Sequence, residues 1–313
     1  MDGAMSTATP VARAATHSYR AIDVPVVGGD LHVGVWDPVG ERTDDVLLVH
    51  GVTASHLAWP FVVSGLPGVR AVAPDLRGRG RSNTLAGAAG MRAHADDLAA
   101  TLDALGIEKT VIVGHSMGAF VAIVFAHLHP DRVSRVVLVD GGLPLDLPPG
   151  MDADALVAAV LGPTAARLSM RFADAGEYLD FWRDHAAFQG AWSRELEAYL
   201  AYDLVDDGDG AFRPATSYRT MVEDSIDQNT GASIVTALAE ATQPIRLLTA
   251  PRGLQNEEPG LYAPAHLARM LADAPGVRHS GIDDVNHYTI VMAPDGAAAV
   301  AAAVREELDA ARD

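Results

Sequence analysis

Ser116 stands in the pentapeptide Gly114-His115-Ser116-Met117-Gly118, between the apolar run Thr110-Val111-Ile112-Val113 and an apolar stretch from Ala119 to His127. Where a strand turns sharply into a helix, flanking glycines let neighbouring backbone pass close and leave the serine hydroxyl projecting above the sheet edge. This is the setting of a nucleophilic serine, which needs a nearby base to take its proton. The chain has twelve histidines, most of which are expected to be surface or supporting residues. His287, in Asp284-Val285-Asn286-His287-Tyr288, follows the last strand-like run, and a loop there can reach over the strand ends to the elbow. His287 is therefore read as the general base.

Attack on a carbonyl also needs donors for the developing oxyanion. His50-Gly51-Val52-Thr53 follows the strand-like run Val46 to Val49, and the amides of Val52 and Met117 are the expected donors, Val52 being preferred to Gly51. His50 is read as a brace for that turn.

These residues require a scaffold of alternating strands and helices, and the chain supplies one. Ala21 to Val27 and Leu31 to Trp36 read as a hairpin around Gly28-Gly29-Asp30. Val46 to Val49, Val69 to Ala73, Thr110 to Val113 and Val133 to Val139 read as strands buried on both faces, with helices expected over Leu57 to Leu66, Met91 to Leu105 and Met117 to Leu128. Beyond Val139 the pattern changes. Short helices without strands are expected to about Ala241, among them Ala153 to Leu161, Glu177 to Ala187, Ser193 to Tyr202 and Tyr218 to Ile226. Trp182, Trp192, Phe172, Phe181, Phe188, Tyr199 and Tyr202 fall in this stretch. Strands return at Pro244 to Thr249 and Val277 to Ile282, with helices over Pro264 to Ala272 and about Asp295 to Ala311.

Composition narrows the partners. A formal net charge of -18 repels nucleic acid and anionic membrane, and the absence of cysteine removes disulfides, thiolate nucleophiles and cysteine metal sites. The histidines lack metal-ligand spacing, and Gly78-Arg79-Gly80 lacks the rest of a phosphate loop, so no metal or other cofactor is expected. With neither a leader-like start nor a membrane-length apolar run, the expectation is a cytoplasmic protein, monomer or homodimer.

The chain resembles the α/β-hydrolase family from about Ala21 onward. The resemblance is carried by the His50-Gly51 turn, the loop Pro74-Asp75-Leu76-Arg77-Gly78-Arg79-Gly80-Arg81-Ser82, the elbow at Ser116 and the late His287. It implies a mostly parallel eight-stranded sheet flanked by helices, a serine-acid-histidine triad and a helical cap inserted after strand six. The domain expectation is a flexible tail over residues 1–18, a core over 19–140 and 244–313, and a cap over 141–243. The loop from Asp75 to Arg81 is structural by the same resemblance.

The usual triad aspartate after strand seven is missing, since that strand leads into Thr249-Ala250-Pro251-Arg252-Gly253-Leu254-Gln255-Asn256-Glu257-Glu258. Asp140, ending strand six, is the first candidate, because some members supply the acid from there; Glu257 and Glu258 are alternatives. An acid on strand six together with an aromatic cap is similar to the lactonases that open the macrocyclic ester zearalenone. Trp182 and Trp192 are then candidates to contact a largely apolar ester or lactone, although aromatics at helical spacing also serve simply to pack a cap. Carbon-carbon bond hydrolysis, peptide hydrolysis, acyl transfer, perhydrolysis and slow-turnover ligand reception share the same machinery. Aspartyl-nucleophile epoxide or dehalogenase chemistry does not, because the elbow carries serine.

Overall fold

The computed structural model describes residues 16–312 apart from 149, 153–154, 156, 158–161, 209 and 231. Its strands are β1 (His17–Val26), β2 (Gly29–Pro38), β3 (Asp44–Val49), β4 (Val69–Pro74), β5 (Thr110–His115), β6 (Val133–Val139), β7 (Leu204–Asp206), β8 (Phe212–Pro214), β9 (Ile245–Thr249) and β10 (Val277–Gly281). Eight of them form one sheet in the order β1-β2-β4-β3-β5-β6-β9-β10. From β4 to β10 the neighbours are parallel, while β1 and β2 form an antiparallel edge. The protein has the α/β-hydrolase fold.

Period-two alternation positions the sheet between two cores. Along β3, Val46 and Leu48 join one apolar cluster while Leu47 and Val49 join the other, and all four are fully buried. Each such side chain contributes about 1.5–3 kcal/mol relative to exposure. Helices α2 (Met91–Ala104) and α3 (Met117–Leu128) cover one face. Helices α1 (Pro60–Ser64) and α11 (Pro294–Arg312) cover the other.

Between β6 and β9 lies an insert containing α4 (Pro163–Ala166), α5 (Ala175–Arg183), α6 (Arg194–Tyr202), α7 (Tyr218–Thr230) and α8 (Ala232–Glu240). Asp174 caps α5 and Ser193 caps α6, each side chain accepting an N–H from the first turn. Inside the insert a buried Arg167 is held by Tyr178 and Asp203 and lies over the Trp182 ring. Helices α9 (Pro264–Asp273) and α10 (Thr289–Met292) flank β10 in sequence.

Four expectations change. The first hairpin turns at Val27-Gly28, because Val26 pairs with Gly29. The helix expected over Leu57 to Leu66 is a 3-10 turn (His56–Ala58) followed by α1, since Pro60 has no N–H to continue a helix and instead begins one. The insert holds a hairpin, β7 with β8, whose three-residue strands are too short to display alternation. His17 and Ser18, expected in the tail, already pair in β1. The rest of that tail up to residue 15, and most of the helix expected over Ala153 to Leu161, lie outside the described residues.

Candidate active site

At the end of β5 the chain reverses into α3 through Ser116, whose φ of 54° and ψ of -123° lie where few non-glycine residues go. The elbow closes tightly: a Cβ at Gly114 would stand 2.1 Å from the Gly118 carbonyl oxygen, and one at Gly118 would stand 2.1 Å from that of Val49. Glycine is required at both places.

Ser116 Oγ lies 3.0 Å from His287 Nε2, and His287 Nδ1 lies 2.7 Å from Asp140 Oδ2. A carboxylate only accepts, so Nδ1 carries the proton and the Nε2 lone pair faces the serine hydroxyl. Asp140 is fully buried at the end of β6, with φ 46°, and its other oxygen accepts the Ala250 N–H. Glu257 turns elsewhere, accepting the Gln255 N–H within its own loop, and Glu258 is exposed. The His287 ring bonds to Asp140 and Ser116 and to neither glutamate.

The turn after β3 is held from both sides. His50 Nδ1 donates to the Gly51 carbonyl at 2.7 Å, and His50 Nε2 accepts the Leu76 N–H at 2.9 Å. Burial lowers the pKa of His50 to about 4, so the imidazole stays neutral in this tautomer. Because the Gly51–Val52 peptide is planar and trans, pinning its carbonyl also aims the Val52 N–H in the opposite direction. Gly51 passes so close that a Cβ there would lie 3.1 Å from Ser116 Cβ. Met117 opens α3, where backbone N–H groups have no acceptor within the helix.

A pocket above Ser116 is lined by Gly51, Val52, His115, Tyr199, Leu254 and Met292, with Thr164 and Tyr288 beside them. Thr164 and Tyr199 come from the insert. Neither Trp182 nor Trp192 lines it: Trp182 is buried against Tyr178, Phe188 and Tyr288, and Trp192 donates to Glu197 under the Arg183 guanidinium. Tyr199, one of several aromatics of equal standing in the sequence, is the insert's aromatic contribution to the pocket wall. Its only advance signal is the apolar spacing of Leu196, Tyr199 and Leu200, which also fits a purely packing role.

The loop after β4 is structural in its contacts. Asp75 accepts the N–H and Nδ1–H of His56, the Arg81 N–H and the Tyr202 hydroxyl, while Arg77 forms a fork with Asp97. Among the described residues no group of three or more His, Asp or Glu is placed to hold a metal ion, and no helix is long and apolar enough to cross a membrane.

Residues 45–187 match the family described as alpha/beta hydrolase fold. Among curated proteins, Lipase LipV of Mycobacterium tuberculosis is 41% identical over 117 residues, covering 37% of this chain and 44% of the lipase. Epoxide hydrolase B of the same species is 37% identical over 114 residues, covering 35% of this chain and 32% of that enzyme. The chain thus matches less than half the length of these relatives. Among solved structures, E-2-(acetamidomethylene)succinate hydrolase superposes with a TM-score of 0.72 at 20% identity, over 93% of this chain and 100% of that one.

Proposed function

We propose that the protein is a serine hydrolase that cleaves an ester or lactone through an acyl-enzyme. The observation that carries this reading is the continuous hydrogen-bond chain Ser116–His287–Asp140 opening into a pocket. Ser116 Oγ attacks the carbonyl as its proton passes to His287 Nε2, and Asp140 stabilises the imidazolium. The oxyanion forms between the Val52 and Met117 amides, each such donor supplying about 3–4 kcal/mol in comparable sites. His287 then returns the proton to the leaving alkoxide. Water repeats the sequence and frees the acid. The likeness to a lipase supports ester chemistry, and a serine at the elbow separates this site from aspartyl-nucleophile epoxide hydrolysis.

The cavity beside Ser116 measures ≈ 30 Å³. That is room for about two waters at roughly 10–15 Å³ each. A short acyl group enters with small side-chain shifts, whereas a zearalenone-sized macrolactone requires Tyr199 and the insert to move aside. The first experiment is a panel of p-nitrophenyl esters of rising acyl length, simple lactones and macrolactones, with Ser116→Ala as blank, alongside labelling by a fluorophosphonate. One label per chain on the Ser116 peptide, and turnover abolished in the blank, is the expected result. Label confined to another peptide overturns the reading.

A further inference from the structure

Arg79 lies in the run Arg77-Gly78-Arg79-Gly80-Arg81, and its side chain is fully buried. Nε donates to the Val52 carbonyl at 2.8 Å, Nη1 donates to the Arg77 carbonyl at 2.9 Å, and Nη2 lies 3.7 Å from Met117 Sδ. One guanidinium therefore touches both residues whose amides are assigned to the oxyanion. His50 fixes the peptide before Val52 and Arg79 fixes the peptide after it, so the two together set the turn.

The counter-charge comes from the insert. Asp224, on α7, pairs with Arg79 through Oδ2, while its Oδ1 accepts His94 Nε2–H at 3.0 Å and the Gly90 N–H at 2.7 Å. Both side chains of the pair are shut off from solvent. Such a pair is weak evidence for stability, because desolvation offsets most of the attraction, but its directional bonds define geometry. Asp227, one turn further along α7, accepts the Met91 N–H. It ties the same helix to the core without reaching Arg79.

We propose that Arg79 and Asp224 are positioning residues that couple the seating of the insert to the geometry of the oxyanion turn. With α7 seated, Asp224 holds the guanidinium fork, and the fork holds Val52 and the first residue of α3. When α7 lifts, the fork loses its anchor and the turn its alignment. Ester cleavage is then efficient only when the insert is closed over the acyl group. This inference rests on the serine-hydrolase reading above.

The test compares Asp224→Asn, Arg79→Lys and Asp227→Asn in the full chain, with active sites counted by fluorophosphonate titration. For p-nitrophenyl acetate, Asp224→Asn and Arg79→Lys are expected to lose about 10- to 100-fold in kcat per titrated site, with KM within about threefold, as for a small misplacement of transition-state donors. Affinity for a trifluoromethyl ketone, whose adduct carries the oxyanion, should weaken by the same factor. Asp227→Asn should stay within about twofold of wild type, because an amide oxygen can still accept the Met91 N–H, which keeps α7 seated while leaving Arg79 and Asp224 untouched. Lysine keeps the charge of Arg79 but not its fork, so Arg79→Lys decides the matter if Asp224→Asn does not fold. Unchanged kcat per titrated site, unchanged ketone affinity, or an equal loss in Asp227→Asn overturns the coupling. An inert wild type, or a fully active Ser116→Ala, instead overturns the hydrolase reading itself.

Discussion

His115 Nε2–H donates to the main-chain carbonyl of His287 at 2.8 Å, so the residue preceding the proposed nucleophile grips the backbone of the proposed base. Their rings lie 4.8 Å apart. Burial, reinforced by the neighbouring His287, drives the His115 pKa well below its ordinary value, so His115 remains a neutral donor beside the proposed base. His115→Ala should lower kcat by roughly tenfold with little change in KM, since a loosened base costs alignment more than binding. His115→Gln can place an amide N–H near the same carbonyl and should recover most of that loss. Steady-state kinetics on a short ester measure both, and equal rates in the alanine and wild-type proteins would show that the bond has no catalytic consequence.

Asp140 is expected to act only as an anion. Asp140→Asn keeps the shape but offers Nδ1 an amide, which cannot stabilise the imidazolium, and turnover should fall by about four orders of magnitude, as in the best-studied triad. Glu257→Gln should remain within about twofold, because exposed substitutions away from the site are nearly neutral. A severe loss in Glu257→Gln beside an active Asp140→Asn would reverse the assignment of the acid.

The elbow is legible because its chemistry and its backbone make the same demand. Gly114 and Gly118 are the residues through which a reversal with φ of 54° at Ser116 can pass, and that requirement is written in their identity. The sheet is legible for a similar reason, since strands buried on both faces leave continuous β-branched runs. The pocket wall is not. Whether Tyr199 or Trp192 faces Ser116 depends on how α6 is rotated and seated, and apolar residues at helical spacing look the same whether they line a cleft or fill a core. Arg79 is hidden for a further reason: its partner Asp224 lies 145 residues away, and no local spacing connects them.

Substrate choice should follow Tyr199 and not the tryptophans. Tyr199 borders both the pocket over Ser116 and an adjoining cleft lined by Leu57, Phe61, Glu195 and Leu196. Tyr199→Ala joins the two spaces and should shift the preferred acyl chain toward greater length, read from kcat/KM across the ester series. Trp182→Ala empties a buried site instead, lowering stability by about 3–5 kcal/mol with unchanged preference. A preference altered by Trp182→Ala and untouched by Tyr199→Ala would mean that the pocket wall has been misread.

His50 makes stability sensitive to mild acid. Burial holds its pKa at about 4 in the folded protein, against an ordinary histidine value of 6.5. Between those values the unfolded chain binds a proton that the folded chain refuses, so stability falls as pH drops through the window and levels off below it. The slope approaches 1.4 kcal/mol per pH unit for one such group, about 3 kcal/mol in all. His115, lowered by burial in the same direction, adds to the loss. Asp75 and Asp224 act later: burial raises their pKa, but His56 beside Asp75, and His94 and Arg79 beside Asp224, outweigh it, so their stabilisation is lost only below the ordinary carboxylate range. Urea unfolding at intervals from pH 7 to 4.5 should show this decline in the wild type. His50→Asn, which keeps a donor near the Gly51 carbonyl but cannot titrate, should flatten the slope by up to one proton. Parallel slopes for the two proteins would mean that His50 is charged in the fold, and the neutral tautomer that aims the Val52 amide would have to be abandoned.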